Sequence, residues 1–169
     1  MTEEVLMVEC VIAIDYDKCS GCRTCESICA MAKAGECNPE KARIRIVKIE
    51  EYGNTISIPV VCMNCLRPAC KVVCPTKAIH KNQKTGVMVV DNKKCIGCSA
   101  CMYACPFGAI TIDRLRGSAF KCDQCDGDPT CVKVCPSNAI EYVKDEEVSM
   151  RLRRSCLSKL EGVFITKQP

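Results

Sequence analysis

The chain has 169 residues, of which 19 are cysteine, three phenylalanine, four tyrosine and none tryptophan. That length suits one or two small domains, yet the rings that usually fill a core are scarce, and metal–sulfide groups would fill it instead. The formal charge of +4 counts every cysteine as neutral; no basic block is interleaved with stacking aromatics, which argues against nucleic-acid binding, and no segment approaches the roughly 20 apolar residues of a membrane span.

The start, Met1-Thr2-Glu3-Glu4-Val5-Leu6, has no basic opening, signal-length apolar stretch or twin arginine. The expected compartment is the cytoplasm, where thiols stay reduced and a disulfide scaffold is disfavoured. Val11 to Asp15 reads as a strand leading into a first cysteine group, Cys19, Cys22, Cys25 and Cys29. Ala30-Met31-Ala32 follows without a proline, so the helix there is predicted to continue. Arg43 to Ile49 alternates apolar and basic, with Ile44 and Ile46 on one face. Gly53-Asn54 is a turn signal, and Ile56, Ile58 and Val60 form the return strand of a β-hairpin, with Pro59 marking an edge.

The second group is Cys62, Cys65, Cys70 and Cys74. After it come a turn at Gly86, a strand from Val87 to Asp91, and the third group, Cys95, Cys98, Cys101 and Cys105. The fourth is Cys122, Cys125, Cys131 and Cys135. Groups two to four end alike, Cys74-Pro75-Thr76-Lys77-Ala78-Ile79, Cys105-Pro106-Phe107-Gly108-Ala109-Ile110 and Cys135-Pro136-Ser137-Asn138-Ala139-Ile140. From Glu141 the pattern turns helical, with an acidic first turn at Asp145, Glu146 and Glu147. Val148, Leu152, Cys156 and Leu160 share one face of this predicted C-terminal helix, and Gly162 is its stop.

Four groups of four thiols are the ligand quota for four [4Fe-4S] clusters, and the repeated order of strand, cysteine loop, short helix and strand is the bacterial ferredoxin plan. Three cysteines in one tight loop supply three corners of a cube. The fourth is predicted at the start of a helix, facing away toward a neighbouring cluster. Gly21 and Gly97 are expected where the backbone nears the cube. Structural zinc instead takes two well-separated pairs. Four thiolates round an oxidised cube carry about −2, so the basic residues read as compensation for buried anionic clusters.

The link Pro75 to Lys94 has the length and pattern found between the halves of a two-cluster ferredoxin, so groups two and three are expected to pair, and one and four to close round the outside. Cluster 1 is then Cys19, Cys22, Cys25 and Cys135, and cluster 2 is Cys62, Cys65, Cys70 and Cys105. Cluster 3 is Cys95, Cys98, Cys101 and Cys74, and cluster 4 is Cys122, Cys125, Cys131 and Cys29. Tandem pairing, first with second and third with fourth, is the alternative. The fold class is α+β: an inner two-cluster module over residues 56–112 inserted into an outer one over residues 1–55 and 113–169.

The four groups, their order and their Cys-Pro endings resemble the iron–sulfur subunits of the dimethyl sulfoxide reductase type, over roughly residues 11–143. That family also includes electron-transfer subunits of formate dehydrogenases and several hydrogenases. The resemblance implies the nested pairing and an electron-transfer subunit with no catalytic site of its own. Its partner would be a large oxidoreductase subunit with a tungsten- or molybdenum-pterin centre, and its other contact a ferredoxin or a flavin-containing subunit. The short loop Cys125-Asp126-Gly127-Asp128-Pro129-Thr130-Cys131 and the chain's size are similar to the small subunit of tungsten-containing aldehyde oxidoreductases. A free-standing polyferredoxin and a redox sensor are the alternatives. Cys10, Cys37 and Cys156 stand outside the groups, Cys156 as a small apolar side chain. His80, in a predicted polar turn, reads as solvated, as do Lys41, Arg43, Arg45 and the run Arg151, Arg153 and Arg154; these cations could instead dock an acidic partner.

Overall fold

A computed structural model of the chain describes residues 10–148 and 150. Eight short strands form four two-stranded antiparallel sheets. Strand β1 (Cys10–Ile14) pairs with the last, β8 (Ile140–Lys144), placing Val11 opposite Val143 and Ile14 opposite Ile140. The other three sheets are local: β2 (Arg45–Glu51) with β3 (Asn54–Val60), β4 (Ile79–Lys81) with β5 (Met88–Val90), and β6 (Ile110–Asp113) with β7 (Ser118–Lys121). This is a small mixed helix–strand fold of the α+β kind.

Four helices follow the four cysteine loops. Helix α1 (Thr24–Ala34) runs eleven residues and stops at Gly35, which takes a left-handed φ of 74° while its N–H caps Met31 O. Helices α2 (Ala69–Val72), α3 (Ala100–Ala104) and α4 (Thr130–Lys133) last one turn and give way to Cys-Pro. A proline two or three residues past a one-turn helix cannot donate to its ladder, so the chain turns out. With Ala30 in that place, α1 goes on. Helix α1 packs on α4, and α2 on α3.

The core is divided. One buried cluster gathers Ile12, Cys25, Cys29, Ile44, Ile46, Cys122, Cys131 and Ile140; a second gathers Ile79, Met88, Cys101, Ile110 and Ala119. The isoleucine closing each Cys-Pro-x-x-Ala-Ile segment is buried and opens a strand. Each segment therefore anchors a cysteine loop to a sheet through one apolar side chain.

Several expectations shift. The β2–β3 turn is Tyr52-Gly53, with φ of 49° and 80°, and Asn54 already pairs with Glu51; two left-handed residues are what a two-residue hairpin needs. Glu141 to Lys144 is strand, because β1 offers an antiparallel partner far away in sequence. Helix begins at 145, on the acidic Asp145-Glu146-Glu147; the positions expected further along it, Leu152, Cys156, Leu160 and Gly162, lie outside the described residues. His80 sits in β4, exposed, rather than in a turn. On β3 the buried side chains are Ser57 and Pro59, while Ile56 is exposed with Val47 and Ile49 toward the hairpin tip.

Candidate metal centre

The cysteine loops share one backbone design. The residue before the second cysteine is left-handed in every group: Gly21 (φ 68°), Asn64 (46°), Gly97 (66°) and Gln124 (55°). The third cysteine, Cys25, Cys70, Cys101 or Cys131, is the second residue of the helix that follows. The fourth is not at a helix start, as the spacing suggested. Cys29 lies inside α1, and Cys74, Cys105 and Cys135 come just after α2, α3 and α4. Third and fourth cysteines are four residues apart, so the fourth thiol is displaced by about one helical turn along the axis from the third.

Gly21 and Gly97 each allow a close approach within the protein. A Cβ on Gly21 would stand 2.3 Å from Ser57 Oγ, and one on Gly97 would stand 2.5 Å from the Gly117 carbonyl oxygen. Both glycines let a cysteine loop lie against an adjoining hairpin.

Each fourth cysteine approaches cysteines of another group, two of them lining a recess with all three. Cys135 lines one recess with Cys19, Cys22 and Cys25, walled by Ile46, Pro59 and Ile140. Cys74 lines a second with Cys95, Cys98 and Cys101, beside Ile79 and Ala119. Cys105 is close enough to Cys65 and Cys70 to disfavour their thiolates, as is Cys62. Cys29 does the same to Cys131, together with Cys122 and Cys125. Among the described residues, no three side chains converge tightly enough to hold one metal ion; the thiols surround gaps. A single zinc at about 2.3 Å from each sulfur would need a closer set.

The thiol electrostatics call for a cationic centre. Burial pushes Cys25, Cys122 and Cys131 up to about 12, and Cys70 up to about 11, with neighbouring thiolates adding to the effect. Thiolates crowded out of water in this way are stable only when a metal centre offsets their charge. The backbone is nonetheless arranged to hydrogen-bond sulfur. The N–H groups of Arg43, Ala78, Ala119 and Gln124 donate to the Sγ atoms of Cys29, Cys74, Cys95 and Cys122 at 3.2–3.4 Å. At Cys74 and Cys135 burial raises the thiol, but backbone donors from Ile79 and Ala78, and from Ile140 and Ala139, outweigh it and bring both below the ordinary value. Asn64 Nδ2 and Gln124 Nε2 are buried donors with no partner among the described residues, each beside a second cysteine. An all-sulfur donor set with spare N–H groups fits an iron–sulfide cube.

Four features had no signal in the cysteine spacing. Glu26 is buried in the first turn of α1, where its Oε1 accepts the Ile46 N–H at 2.7 Å. Arg43 is no solvated cation: with Lys33 it grips the Asp123 carboxylate, the Lys33 contact being 2.9 Å. Burial raises Asp123, but the Lys33 hydrogen bond and the Arg43 charge hold it below the usual carboxylate range. Lys41 pairs with Glu36, and Arg45 reaches the Glu40 carbonyl. Of the leftover cysteines, Cys10 is a half-buried residue of β1 and Cys37 is exposed, while Cys156 lies outside the described residues, as do Arg151, Arg153 and Arg154. Among the described residues, no helix is long and apolar enough to cross a membrane.

Known proteins agree with this chemistry. Residues 54–145 match the 4Fe-4S dicluster domain, and residues 16–32 match a 4Fe-4S binding domain. The polyferredoxin-like subunit of aliphatic sulfonate oxidoreductase from Pyrococcus furiosus is 42% identical over 80% of this chain and 76% of its own. A component of the anaerobic dimethyl sulfoxide reductase of Escherichia coli K12 is 36% identical over 80% of this chain and 73% of its own. A component of the sulfite dehydrogenase of Allochromatium vinosum is 33% identical over 87% and 75%. The [4Fe-4S] cofactor expected from the cysteine groups is therefore shared with the matched families, and the chain belongs to the iron–sulfur subunits of the dimethyl sulfoxide reductase type.

Proposed function

We propose that the chain holds four [4Fe-4S] clusters and relays single electrons between a catalytic oxidoreductase subunit and a second carrier. The ligand sets are Cys19, Cys22, Cys25 and Cys135; Cys62, Cys65, Cys70 and Cys105; Cys95, Cys98, Cys101 and Cys74; and Cys122, Cys125, Cys131 and Cys29. The observation that carries this reading is the approach of every fourth cysteine to cysteines of another group, complete for Cys74 and Cys135. It favours nested over tandem pairing, as does the β1–β8 ladder that brings the chain's two ends together. The inner unit, residues 56–112, and the outer, 1–55 with 113–169, are tied by the β2–β3 and β6–β7 hairpins, which cross the two junctions.

Bound there, each cube supplies a one-electron redox centre. The chain's own residues desolvate the sulfurs, aim backbone N–H groups at them and place cations nearby, the levers that set a cluster's potential. No catalytic site belongs to this chain in the proposal. The partner is a large subunit with a tungsten- or molybdenum-pterin centre, and the other contact a ferredoxin or flavin-containing subunit. The short loop before Cys131 favours an aldehyde oxidoreductase partner. A sulfonate-oxidising partner is the second reading, carried by the 42% identical relative.

Anaerobic co-purification of the tagged holoprotein from native lysate tests this. A stoichiometric pterin-bearing subunit should be captured, and an aldehyde or an aliphatic sulfonate should then reduce the clusters, bleaching their visible absorption. An isolated chain would support a free polyferredoxin. A formate- or hydrogen-oxidising partner would redirect the assignment within the family. Reduction that alters binding of an effector would point to a sensor.

A further inference from the structure

Lys121 is the last residue of β7 and only 3% exposed. Its ammonium donates to the carbonyl oxygens of Met88 and Cys122, the latter at 2.8 Å. The N–H of the same Met88 donates to Asn64 Oδ1 at 3.1 Å, so Met88 is held from both sides by residues of two different cysteine loops. Among the described residues, no carboxylate forms an ion pair with Lys121. A buried ammonium is costly unless negative charge lies close by. The Cys122 carbonyl sets the ammonium against the fourth cysteine group, and Asn64, which holds the same Met88, stands between Cys62 and Cys65 of the second, its Oδ1 3.9 Å from Cys62 Sγ. The second and fourth cysteine groups therefore adjoin at Lys121, linked through Met88.

We propose that Lys121 is a positioning residue that raises the reduction potentials of the two clusters held by Cys62, Cys65, Cys70 and Cys105 and by Cys29, Cys122, Cys125 and Cys131, easing electron passage between the inner and outer units. The inference rests on the four-cluster reading above. Reduction adds one negative charge to a quartet, and a cation fixed in a low-dielectric interior stabilises that charge more than the same cation in water. The ammonium's two hydrogen bonds, to Met88 and Cys122, reach no residue of the first or third cysteine group, so the other two quartets should feel it less. Two carbonyl acceptors fix where the charge sits, so the effect depends on place as well as sign.

Potentiometric titration of anaerobic holoprotein, followed by electron paramagnetic resonance, tests this on wild type and on Lys121→Met, Lys121→Gln and Lys121→Arg. In the two neutral variants, two of the four potentials should fall, each by about tenfold in the reduction equilibrium, which is ~59 mV for one electron. The other two should stay, and Lys121→Arg should retain the wild-type pattern. The glutamine variant keeps a donor for the Met88 carbonyl, so a shift confined to methionine would overturn a charge effect. Four unmoved potentials, or four that move together, would overturn it as well. Should both neutral variants lose iron while arginine keeps it, the requirement for charge is upheld; equal loss from all three goes against it. Wild-type protein with fewer than four reducible centres would remove the cluster reading itself, whereas four centres indifferent to Lys121 would remove only this inference.

Discussion

The first cysteine repeat and the other three solve the same problem with different backbones. In groups two to four a proline follows the last cysteine and the helix before it lasts one turn. Cys74 and Cys135 then sit in a turn whose own next residues donate to sulfur, and both thiols fall below the ordinary value. In group one Ala30 takes that place and α1 runs on to Gly35. Cys29 is locked inside a helix with no turn of its own, and burial raises its thiol; the offsetting donors, Arg43 and Ile44, come from beyond the helix. A single residue type thus decides whether a thiol is served by its local turn or by tertiary structure. The tertiary solution makes Cys29 depend on the Arg43–Asp123–Lys33 contact that ties α1 to the fourth loop.

Removing the metal should erase this contrast with the largest effect of all. Uncompensated buried thiols leave neither kind of exit stable, and folding of small metal-built domains is coupled to their metal. Anaerobic chelation should abolish the cooperative melt seen by circular dichroism; an apoprotein that kept it would break the coupling. Next in size, Cys29→Ser should cost one cluster, about a quarter of the iron. Full iron content in that variant, with four reducible centres, would exclude Cys29 as a ligand.

Exchanging the two exits sharpens the comparison. Ala30→Pro puts the later groups' ending into α1, where it removes a ladder hydrogen bond and should cost about 3 kcal/mol or more. The reverse change, Pro75→Ala, should cost at most about 1 kcal/mol, mainly through the freer unfolded chain. Denaturant titration of the two holoproteins measures both. Equal losses would show that proline is not what distinguishes the repeats.

Local chemistry was legible in the sequence and distant partnership was not. Strands β1, β3 and β5 were readable from their apolar runs, and the long α1 from the missing proline. The hairpin turn moved by one residue because Tyr52, which gives no turn signal, takes the left-handed place beside Gly53. Glu141 to Lys144 read as helix because the ladder that makes it a strand comes from Cys10 to Ile14. At the site, spacing picks out the sixteen cysteines, but the position of the fourth relative to its helix follows from where each short helix starts. Glu26, Arg43 and Lys121 look like surface charges; only the packing of distant segments buries Glu26 and Lys121 and half-buries Arg43.

Iron and acid-labile sulfide, measured on anaerobically purified protein, bear most directly on four thiol quartets each closing round a cube. About sixteen of each per chain are expected. Eight or fewer irons, or zinc in their place, would contradict it.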